Sequence, residues 1–238
     1  MIKEPPLITM RRNFPRPRAR DVAAFAGVPT GHAVDALSGR GALDCTIKPL
    51  AAVTSVLVGV ALTCRTGPAD NLAIFAALDA AKPGDIIVAA SDASASAAIA
   101  GDLLLGMARN RGVAGLVTDG LVRDLVGILA VGVPVYCKGL TPNSGDRNGP
   151  GTVGLPVVLG GVQVESGDVV IADADGVVIV PRARIPAVLK TLEDVRAAEA
   201  ALEAKVKAGL EIPDFIRAIL DSDRVIEVSS RRAVEGER

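Results

Sequence analysis

Short apolar stretches rich in Val and Ile alternate with longer stretches rich in Ala and Leu between residues 52 and 137. The first kind is typical of β-strands and the second of α-helices, because β-branched side chains suit a pleated sheet while Ala and Leu suit a helix. Pro83-Gly84 and Gly112 end two of the helical stretches. This alternation predicts an α/β fold, and it restricts the possible folds more than any other feature of the sequence.

The composition limits the kinds of partner. Half of the 238 residues are hydrophobic but only 2% are aromatic, so the core must consist of Val, Ala, Leu and Ile. The formal net charge of −1 argues against a nucleic-acid-binding protein, which normally carries a basic surface. No apolar run approaches the roughly 18–20 residues that span a membrane, and the N-terminus has no apolar signal segment. We therefore expect neither a nucleic acid nor a membrane as a partner.

The three cysteines, Cys45, Cys64 and Cys137, are widely spaced and form no C-x-x-C motif. They do not make a disulfide framework or a zinc site, and a reducing cytoplasm is the simplest setting for them. We expect each to be a small buried hydrophobic residue.

Three regions follow from changes in composition. Residues 1–18 are basic and rich in Pro, and they are expected to be an arm that wraps a neighbouring subunit or lacks order. Residues 19–181 are expected to form the α/β catalytic domain, in which Thr30 and Asp70 cap helices. Residues 182–238 are expected to form a helical extension between subunits, because residues 185–209 have the pattern of one long amphipathic helix.

Within the central region, some stretches depart from the alternation of strand and helix. Residues 95–112 have the pattern of a helix or a helix pair, and residues 140–156 contain too many breakers for regular structure. Residues 157–181 alternate short Val-rich stretches with Gly and Gly-Asp turns, which predicts a compact antiparallel β unit.

Few catalytic motifs are available. The single histidine, His32, excludes mechanisms that need two, and we expect it to be a capping or surface residue. The G-x-S-x-G, G-x-G-x-x-G, Walker A and H-E-x-x-H motifs are absent. The chemistry must therefore come from carboxylates, arginines and backbone N–H groups.

Gly101-Asp102 directly precedes an apolar helical run. The N–H groups of Asp102, Leu103 and Leu104 are then free at a helix N-terminus, whose partial positive charge suits a small carboxylate. The alternative is that Asp102 only caps this helix.

Arg123-Asp124 begins the next helix. Adjacent residues on a helix point in different directions, so we expect the pair to face two different things rather than each other. Arg123 suits a carboxylate or enolate oxygen, and Asp124 suits Mg²⁺ or Mn²⁺, although an acid in a first helical turn also explains it. One helix, one strand and one turn separate Asp102 from Arg123, so both helices can begin at the same sheet edge, where ligands bind in α/β folds.

The segment "GDLLLGMARNRGVAGLVTDGLVRD" resembles the D-x20-R-D signature of the class II 4-hydroxy-4-methyl-2-oxoglutarate/4-carboxy-4-hydroxy-2-oxoadipate aldolases. The resemblance continues through "ADNLAIFAALDAAKPGDIIV", "GVPVYCKGLTP" and "GGVQVESGDVVIADADGVVIVP", and it covers roughly residues 30–210. The same superfamily contains the regulator of ribonuclease activity A proteins.

The resemblance implies an α-β-β-α sandwich of the swivelling β/β/α type with a long C-terminal helix, assembled as a homotrimer or homohexamer with sites between subunits. It also implies a role for each matching residue. Gly101, Asp102, Leu103 and Leu104 correspond to the pyruvate-binding loop, in which Asp102 exchanges a proton through a water on the metal. Arg123 corresponds to the substrate arginine, and Asp124 to the ligand of Mg²⁺ or Mn²⁺.

In the aldolases, an acid from the C-terminal helix of a neighbouring subunit assists the waters on the metal. The resemblance places Glu199 at that position, with Glu203 one turn later as the alternative.

The implied activity is cleavage of a 4-hydroxy-2-oxo acid to pyruvate in aromatic degradation, together with decarboxylation of oxaloacetate. Three alternatives remain open. A class I aldolase would use Lys138 as a Schiff-base lysine, and a non-catalytic regulator would bind a protein partner. A lyase of the same fold could act on a different oxo acid, because "ASDASASAAIAG" and the C-terminal tail depart from the aldolase pattern.

Overall fold

The computed structural model describes residues 4–228. Its strands are short except for the third and are numbered in chain order: β1 (Ile8–Met10), β2 (Lys48–Pro49), β3 (Leu57–Arg65), β4 (Asp85–Ala90), β5 (Ala98–Ala100), β6 (Gly115–Thr118), β7 (Leu121–Val122), β8 (Val135–Cys137), β9 (Gly139–Leu140), β10 (Gly151–Val153), β11 (Val157–Leu159), β12 (Val162–Val164), β13 (Val169–Ala172) and β14 (Val177–Val180). Its helices are α1 (Ala19–Ala23), α2 (Thr30–Ala36), α3 (Leu72–Ala80), α4 (Asp102–Asn110), α5 (Leu125–Val131), α6 (Ile185–Lys207) and α7 (Asp214–Leu220).

The main sheet has the order β1-β10-β3-β4-β6-β8-β2. Its centre, β3-β4-β6-β8, is parallel, because a helix connects each of these strands to the next. β13 pairs with β3 and with β14, antiparallel in both cases. A second sheet, β5-β7-β9, is parallel throughout and carries the loops that enter α4 and α5.

Side chains alternate between two cores along the central strands, as the period of a strand requires. Leu62 and Ile87 pack with helices α3, α4 and α5, whereas Ala61 and Ile86 pack on the opposite face with β11–β14. On the far side of β13 and β14, a third cluster joins these strands to α2 and the first turns of α6. The layers therefore follow in the order helices, sheet, strands and helices.

This architecture confirms the predicted α/β class, the α-β-β-α layering and the long C-terminal helix. The antiparallel pairs β11–β12 and β13–β14 confirm the predicted β unit. Asp70 was predicted to cap α3, but the residue at the cap position is Asn71; Asp70 instead accepts the N–H of Leu72 with its Oδ1 at 2.9 Å.

Several local predictions are wrong. Part of the predicted helix at residues 95–112 is strand β5, and the turn-rich region contains β9 and β10, because pairing with neighbouring strands overrides local preference in both places. Thr30 is the first residue of α2 rather than its cap. Its N–H and its hydroxyl each donate to the Asp173 carboxylate at 2.8 Å, so Asp173 supplies the acceptor at this helix start.

The N-terminal arm is ordered against its own domain over the described part. β1 lies parallel to β10, and Arg11 donates its N–H to Val153. Arg16 reaches further, because its guanidinium makes two hydrogen bonds to the Asp85 carboxylate, of 2.5 and 2.8 Å. The Asp85 side chain is only 1% exposed, so this pair neutralises a buried charge and corrects the expectation that the arm lacks order.

We expect Arg16→Met to lower the free energy of unfolding by about 3 kcal/mol, because it leaves a buried carboxylate without its cation. Arg12→Met is the matched control. Arg12 belongs to the same arm, but its ion pair with Asp79 is exposed, so its loss should leave stability close to that of the wild type. Urea unfolding of both variants measures the difference, and equal stabilities would show that the arm is not anchored through Asp85.

The cysteines are free, as predicted, but they differ in environment. Cys64 and Cys137 are buried, whereas Cys45 is exposed, which corrects the expectation that all three are buried. Burial raises the pKa of the Cys64 thiol to about 12 and also raises that of Cys137, so neither forms the reactive thiolate at neutral pH.

We expect Ellman's reagent to label a single thiol in the folded protein at pH 8, and all three after unfolding in guanidinium chloride. Cys45→Ser should then remove the fast reaction and leave the total in denaturant lower by one. Fast labelling of more than one thiol in the native state would contradict the burial of Cys64 and Cys137.

The chain divides into two compact units, residues 1–195 and residues 196–238, so the boundary falls inside α6. The first turns of α6, with Val188 and Leu192, belong to the core of the first unit. The described part of the second unit comprises the end of α6 and α7, and Gly209 ends the long helix with a φ of +97°. Among residues 4–228, no helix is long and apolar enough to cross a membrane.

Candidate functional site

Three helices begin around one cavity of about 140 Å³. The residues just before α3, α4 and α5, which are Asn71, Gly101 and Asp124, all line it. Helix N-termini carry partial positive charge and unpaired N–H groups, so their convergence favours an anionic ligand. The volume suits a small organic acid rather than a dinucleotide. The cavity is lined by Asn71, Phe75, Ala98, Ala100, Gly101, Asp102, Leu103, Leu104, Met107, Arg123, Asp124, Ser144 and Arg147.

The predicted pyruvate-binding loop forms the start of α4. Gly101 is extended, and its carbonyl accepts the N–H of Leu105 at 3.1 Å, which is the first bond of the helix. Asp102 Oδ1 accepts the N–H of Leu103 at 2.7 Å, so this carboxylate makes a local bond at the helix start. In the part of the chain that the structure describes, the N–H groups of Asp102 and Leu104 have no backbone acceptor and are available to a ligand.

Strand pairing brings Arg123 and Asp124 beside this loop. β5 and β7 run parallel, and the N–H of Arg123 donates to the carbonyl of Ala100 at 3.0 Å. The chain therefore reaches the start of α5 next to Gly101. The side chains of both residues are partly exposed, at 38% and 42%, which leaves them accessible to a ligand.

The expectation that Arg123 and Asp124 point apart is wrong. Arg123 Nε lies 3.2 Å from Asp124 Oδ2, so the two side chains form an ion pair. The expectation assumed helical geometry, whereas Asp124 has φ +63° and ψ +45°, which is the left-handed conformation. Its carboxylate makes no capping bond to α5, so the interpretation as an ordinary acid of a first helical turn does not hold either.

Two glycines allow the two acids to lie between the helices. A Cβ at Gly101 would lie 2.5 Å from Asp124 Oδ2, and a Cβ at Gly127 would collide with Asp102 Oδ2. Each carboxylate therefore packs against a glycine of the other helix segment. A side chain at either glycine would displace the acid that lies against it.

The residues present fit a hard divalent cation. Within residues 4–228, no cluster of three His, Cys, Asp or Glu side chains could form an all-protein metal site. Mg²⁺ and Mn²⁺ often use one or two carboxylates with water in the remaining positions. Asp124 suits this use because its carboxylate is 42% exposed and makes no capping bond to α5.

Seven lining residues were not indicated by the sequence, and four of them have polar or aromatic side chains, namely Asn71, Phe75, Ser144 and Arg147. Arg147 lies in the turn-rich region, and its guanidinium is 5.5 Å from the centre of the Phe75 ring. Asn71 is 7% exposed, and its Oδ1 has no hydrogen-bond partner within the described residues. The available signals were an arginine among breaker residues and an Asn at a helix start, and neither specifies a site by itself.

Other predicted residues lie elsewhere. Glu199 and Glu203 are exposed on the second unit, and Glu203 pairs with Lys207 at 2.5 Å, so the role of either at a neighbour's site stays a prediction. Lys138 is exposed and does not line the cavity, which does not favour a Schiff-base lysine there. His32 is also outside the cavity lining.

We expect Gly127→Ala to destabilise the protein by roughly 1–3 kcal/mol, because the new methyl group would collide with the Asp102 carboxylate. Gly106→Ala is the control within α4. A Cβ there would meet nothing within 4 Å, so the better helix propensity of Ala should stabilise the protein by about 0.5–1 kcal/mol. Chemical unfolding compares them, and stabilisation by both changes would show that Asp102 does not pack on α5.

The chain is similar to known proteins over most of its length. A family model described as RraA-like, Aldolase/RraA, matches residues 30–179, which contain every lining residue of the cavity. A protein of Halalkalibacterium halodurans named "Putative 4-hydroxy-4-methyl-2-oxoglutarate aldolase" is 38% identical over 200 residues, covering 84% of this chain and 93% of the relative.

Two solved structures share the fold. Streptomyces coelicolor RraAS2, described as an unusual member of the RNase ES inhibitor RraA protein family, is 28% identical with a TM-score of 0.72, covering 80% of this chain and all of that one. An uncharacterized protein of Pseudomonas syringae is 22% identical with a TM-score of 0.73, covering 83% of this chain and 93% of its own, and this likeness concerns the fold alone.

Proposed function

Because this chain belongs to the RraA-like family, Aldolase/RraA, we propose that it is a divalent-metal-dependent pyruvate aldolase. Its proposed substrate is a 4-hydroxy-2-oxo acid such as 4-hydroxy-4-methyl-2-oxoglutarate, the compound in the name of the 38% identical relative. The observation that carries the proposal is the meeting of Asp102, Arg123 and Asp124 at one cavity, where the N-termini of α4 and α5 converge.

The oxo-acid end of the substrate lies at this part of the cavity. Its carboxylate accepts hydrogen bonds from the free N–H groups of Asp102 and Leu104 at the start of α4. Arg123 binds the 2-oxo oxygen, where a planar and permanent cation stabilises negative charge as it develops. Gly101 keeps this end open, because a side chain there would press on Asp124.

Asp124 would hold Mg²⁺ or Mn²⁺, with water in the remaining positions. When bound, this ion supplies Lewis-acid stabilisation of the charge that forms on the oxo group. Through a water molecule, Asp102 accepts the proton of the 4-hydroxyl group. Its contact with α5 at Gly127 holds the carboxylate in position for that transfer.

The cleavage then proceeds within the substrate and needs no oxidant or reductant. The 4-hydroxyl oxygen becomes a carbonyl as the C3–C4 bond breaks, and the bonding pair moves to C3 and O2 to give the enolate of pyruvate. Protonation of C3 completes the reaction. Decarboxylation of oxaloacetate needs the same enolate, so we propose it as a second activity of the same residues.

The proposal includes an assembly of identical subunits, a trimer or hexamer, in which Glu199 or Glu203 of one subunit serves the cavity of its neighbour. The exposure of both acids is consistent with this role. We also propose a cytoplasmic location, which the three free cysteines favour.

A non-catalytic regulator is the second candidate, because the solved relative with 28% identity is described as a member of an RNase inhibitor family. Under this interpretation the cavity would have no catalytic role, and the surface would bind a protein partner. The joint presence of an arginine and two carboxylates at the cavity favours the enzyme.

We expect pyruvate release from 4-hydroxy-4-methyl-2-oxoglutarate and from oxaloacetate, measured by coupling to lactate dehydrogenase. Mg²⁺ or Mn²⁺ should support the activity and EDTA should abolish it. Arg123→Ala and Asp124→Ala should each lower kcat/KM by about a hundredfold or more, because they remove stabilisation of the enolate charge. Arg40→Ala and Asp35→Ala, which change exposed residues outside the cavity, serve as matched controls.

Each contrary outcome identifies a different alternative. Activity that survives EDTA, together with a covalent enzyme–substrate adduct that forms on treatment with borohydride, would indicate a Schiff-base lysine. A lack of pyruvate release from either acid would exclude both as substrates. It would favour the non-catalytic regulator or a lyase that acts on another oxo acid. Full activity of Asp124→Ala would exclude this acid as the metal ligand.

A further inference from the structure

The cavity is lined by a second cationic group in addition to Arg123. Arg147 is an exposed residue that lines the cavity, and within residues 4–228 its guanidinium makes neither a hydrogen bond nor an ion pair. Its contact in the structure is the face of the Phe75 ring, 5.5 Å from the guanidinium carbon to the ring centre. A guanidinium that packs on an aromatic face keeps its planar N–H donors for another ligand.

Asn71 is an independent indication of a ligand at the same place. It is 93% buried and lines the cavity, yet its Oδ1 has no partner among the described residues. Buried polar atoms are normally hydrogen-bonded, so an unpaired carboxamide at a cavity wall calls for an explanation. Oδ1 is an acceptor and does not itself bind an anion, so Asn71 would contribute to anion binding through its Nδ2 donor, which suits a carboxylate oxygen.

Hydrogen bonds on both sides of Arg147 hold its loop against the start of α3. The N–H of Asn71 donates to the carbonyl of Asp146 at 2.9 Å, which ties the loop to the start of α3. On the other side of Arg147, Asp70 Oδ2 accepts the N–H groups of Asn148 and Gly149 at 2.5 and 2.9 Å. The residues that flank Arg147 are therefore held against the start of α3, and Arg147 and Asn71 both line the cavity.

We propose that Asn71 and Arg147 form a second anion subsite, which binds the carboxylate at the far end of a dicarboxylic oxo acid. The inference rests on the proposed function for the placement of the oxo-acid end at Arg123. Because two guanidinium groups, of Arg123 and Arg147, line one small cavity, the site selects an acid with a carboxylate at each end over an acid with a methyl group at the far end. Arg147 and Asn71 thus determine substrate range, while Asp102, Arg123 and Asp124 carry the reaction.

The test compares the binding of 2-oxoglutarate and 2-oxopentanoate by calorimetry with saturating Mg²⁺. These acids have the same carbon chain and differ in the carboxylate or methyl group at the far end, and neither has a 4-hydroxyl group to cleave. We expect wild-type protein to prefer 2-oxoglutarate by roughly ten- to a hundredfold, as for hydrogen bonds to a charged group. Arg147→Met should abolish the preference and leave the affinity for 2-oxopentanoate unchanged.

Three further variants separate recognition from folding. Asn71→Asp keeps a residue that can precede a helix, but it places a negative charge near the subsite, so it should also remove the preference. Arg147→Lys should keep a reduced preference, because it keeps the charge without the planar fork. Arg40→Met, an exposed arginine outside the cavity lining, should behave as wild type.

Turnover gives a second, independent readout. Arg147→Met should lower kcat/KM for 4-hydroxy-4-methyl-2-oxoglutarate about tenfold or more while sparing 4-hydroxy-4-methyl-2-oxopentanoate, which has a methyl group at the far end. A wild-type protein without preference between the two probe acids, or a preference that survives Arg147→Met, would overturn the subsite. A binding preference without pyruvate release would overturn the proposed aldolase instead and leave the subsite intact.

Discussion

The short pairing between β5 and β7 is the contact on which the site depends. It joins Ala98 to Leu121 and Ala100 to Val122, and it is extended by the bond from the Arg123 N–H to the Ala100 carbonyl. α4 begins directly after the first strand and α5 directly after the second, so this pairing sets the two helix starts side by side. Without it, Asp102 and Asp124 would belong to separate loops.

Once the helix starts are adjacent, steric and electrostatic effects act together. The glycines at positions 101 and 127 bring each acid against the opposite segment, which concentrates negative charge beside two partially positive helix ends. Asp124 adopts a left-handed conformation, which is unfavourable for a residue with a Cβ and is typical of functional sites. This conformation turns the carboxylate away from the cap position of α5 and toward Arg123.

The sequence predicts the parts of the site that follow directly from the alternation of strand and helix. Asp102, Arg123 and Asp124 each stand where an apolar stretch ends and a helix begins, so their shared edge could be inferred from spacing. The sequence does not reveal β5, because Ala-Ile-Ala before Gly101 has no strand-specific pattern and becomes a strand only by pairing with β7. Asn71 and Arg147 could not be paired either, since 75 residues separate them and backbone bonds through Asp146 bring them together.

The two halves of the cavity are therefore built by different interactions. Strand pairing and close glycine contacts hold the Arg123 half, and these depend on backbone geometry that few substitutions leave intact. The Arg147 half depends on the Asp70 carboxylate, which accepts hydrogen bonds from the N–H groups of Leu72, Asn148 and Gly149, and on the backbone bond from Asn71 to Asp146. Side chains on that loop can change while these backbone bonds persist. Under the proposed function, a chain of this fold can thus alter which acid it accepts at the far end without disturbing the residues that act on the oxo-acid end.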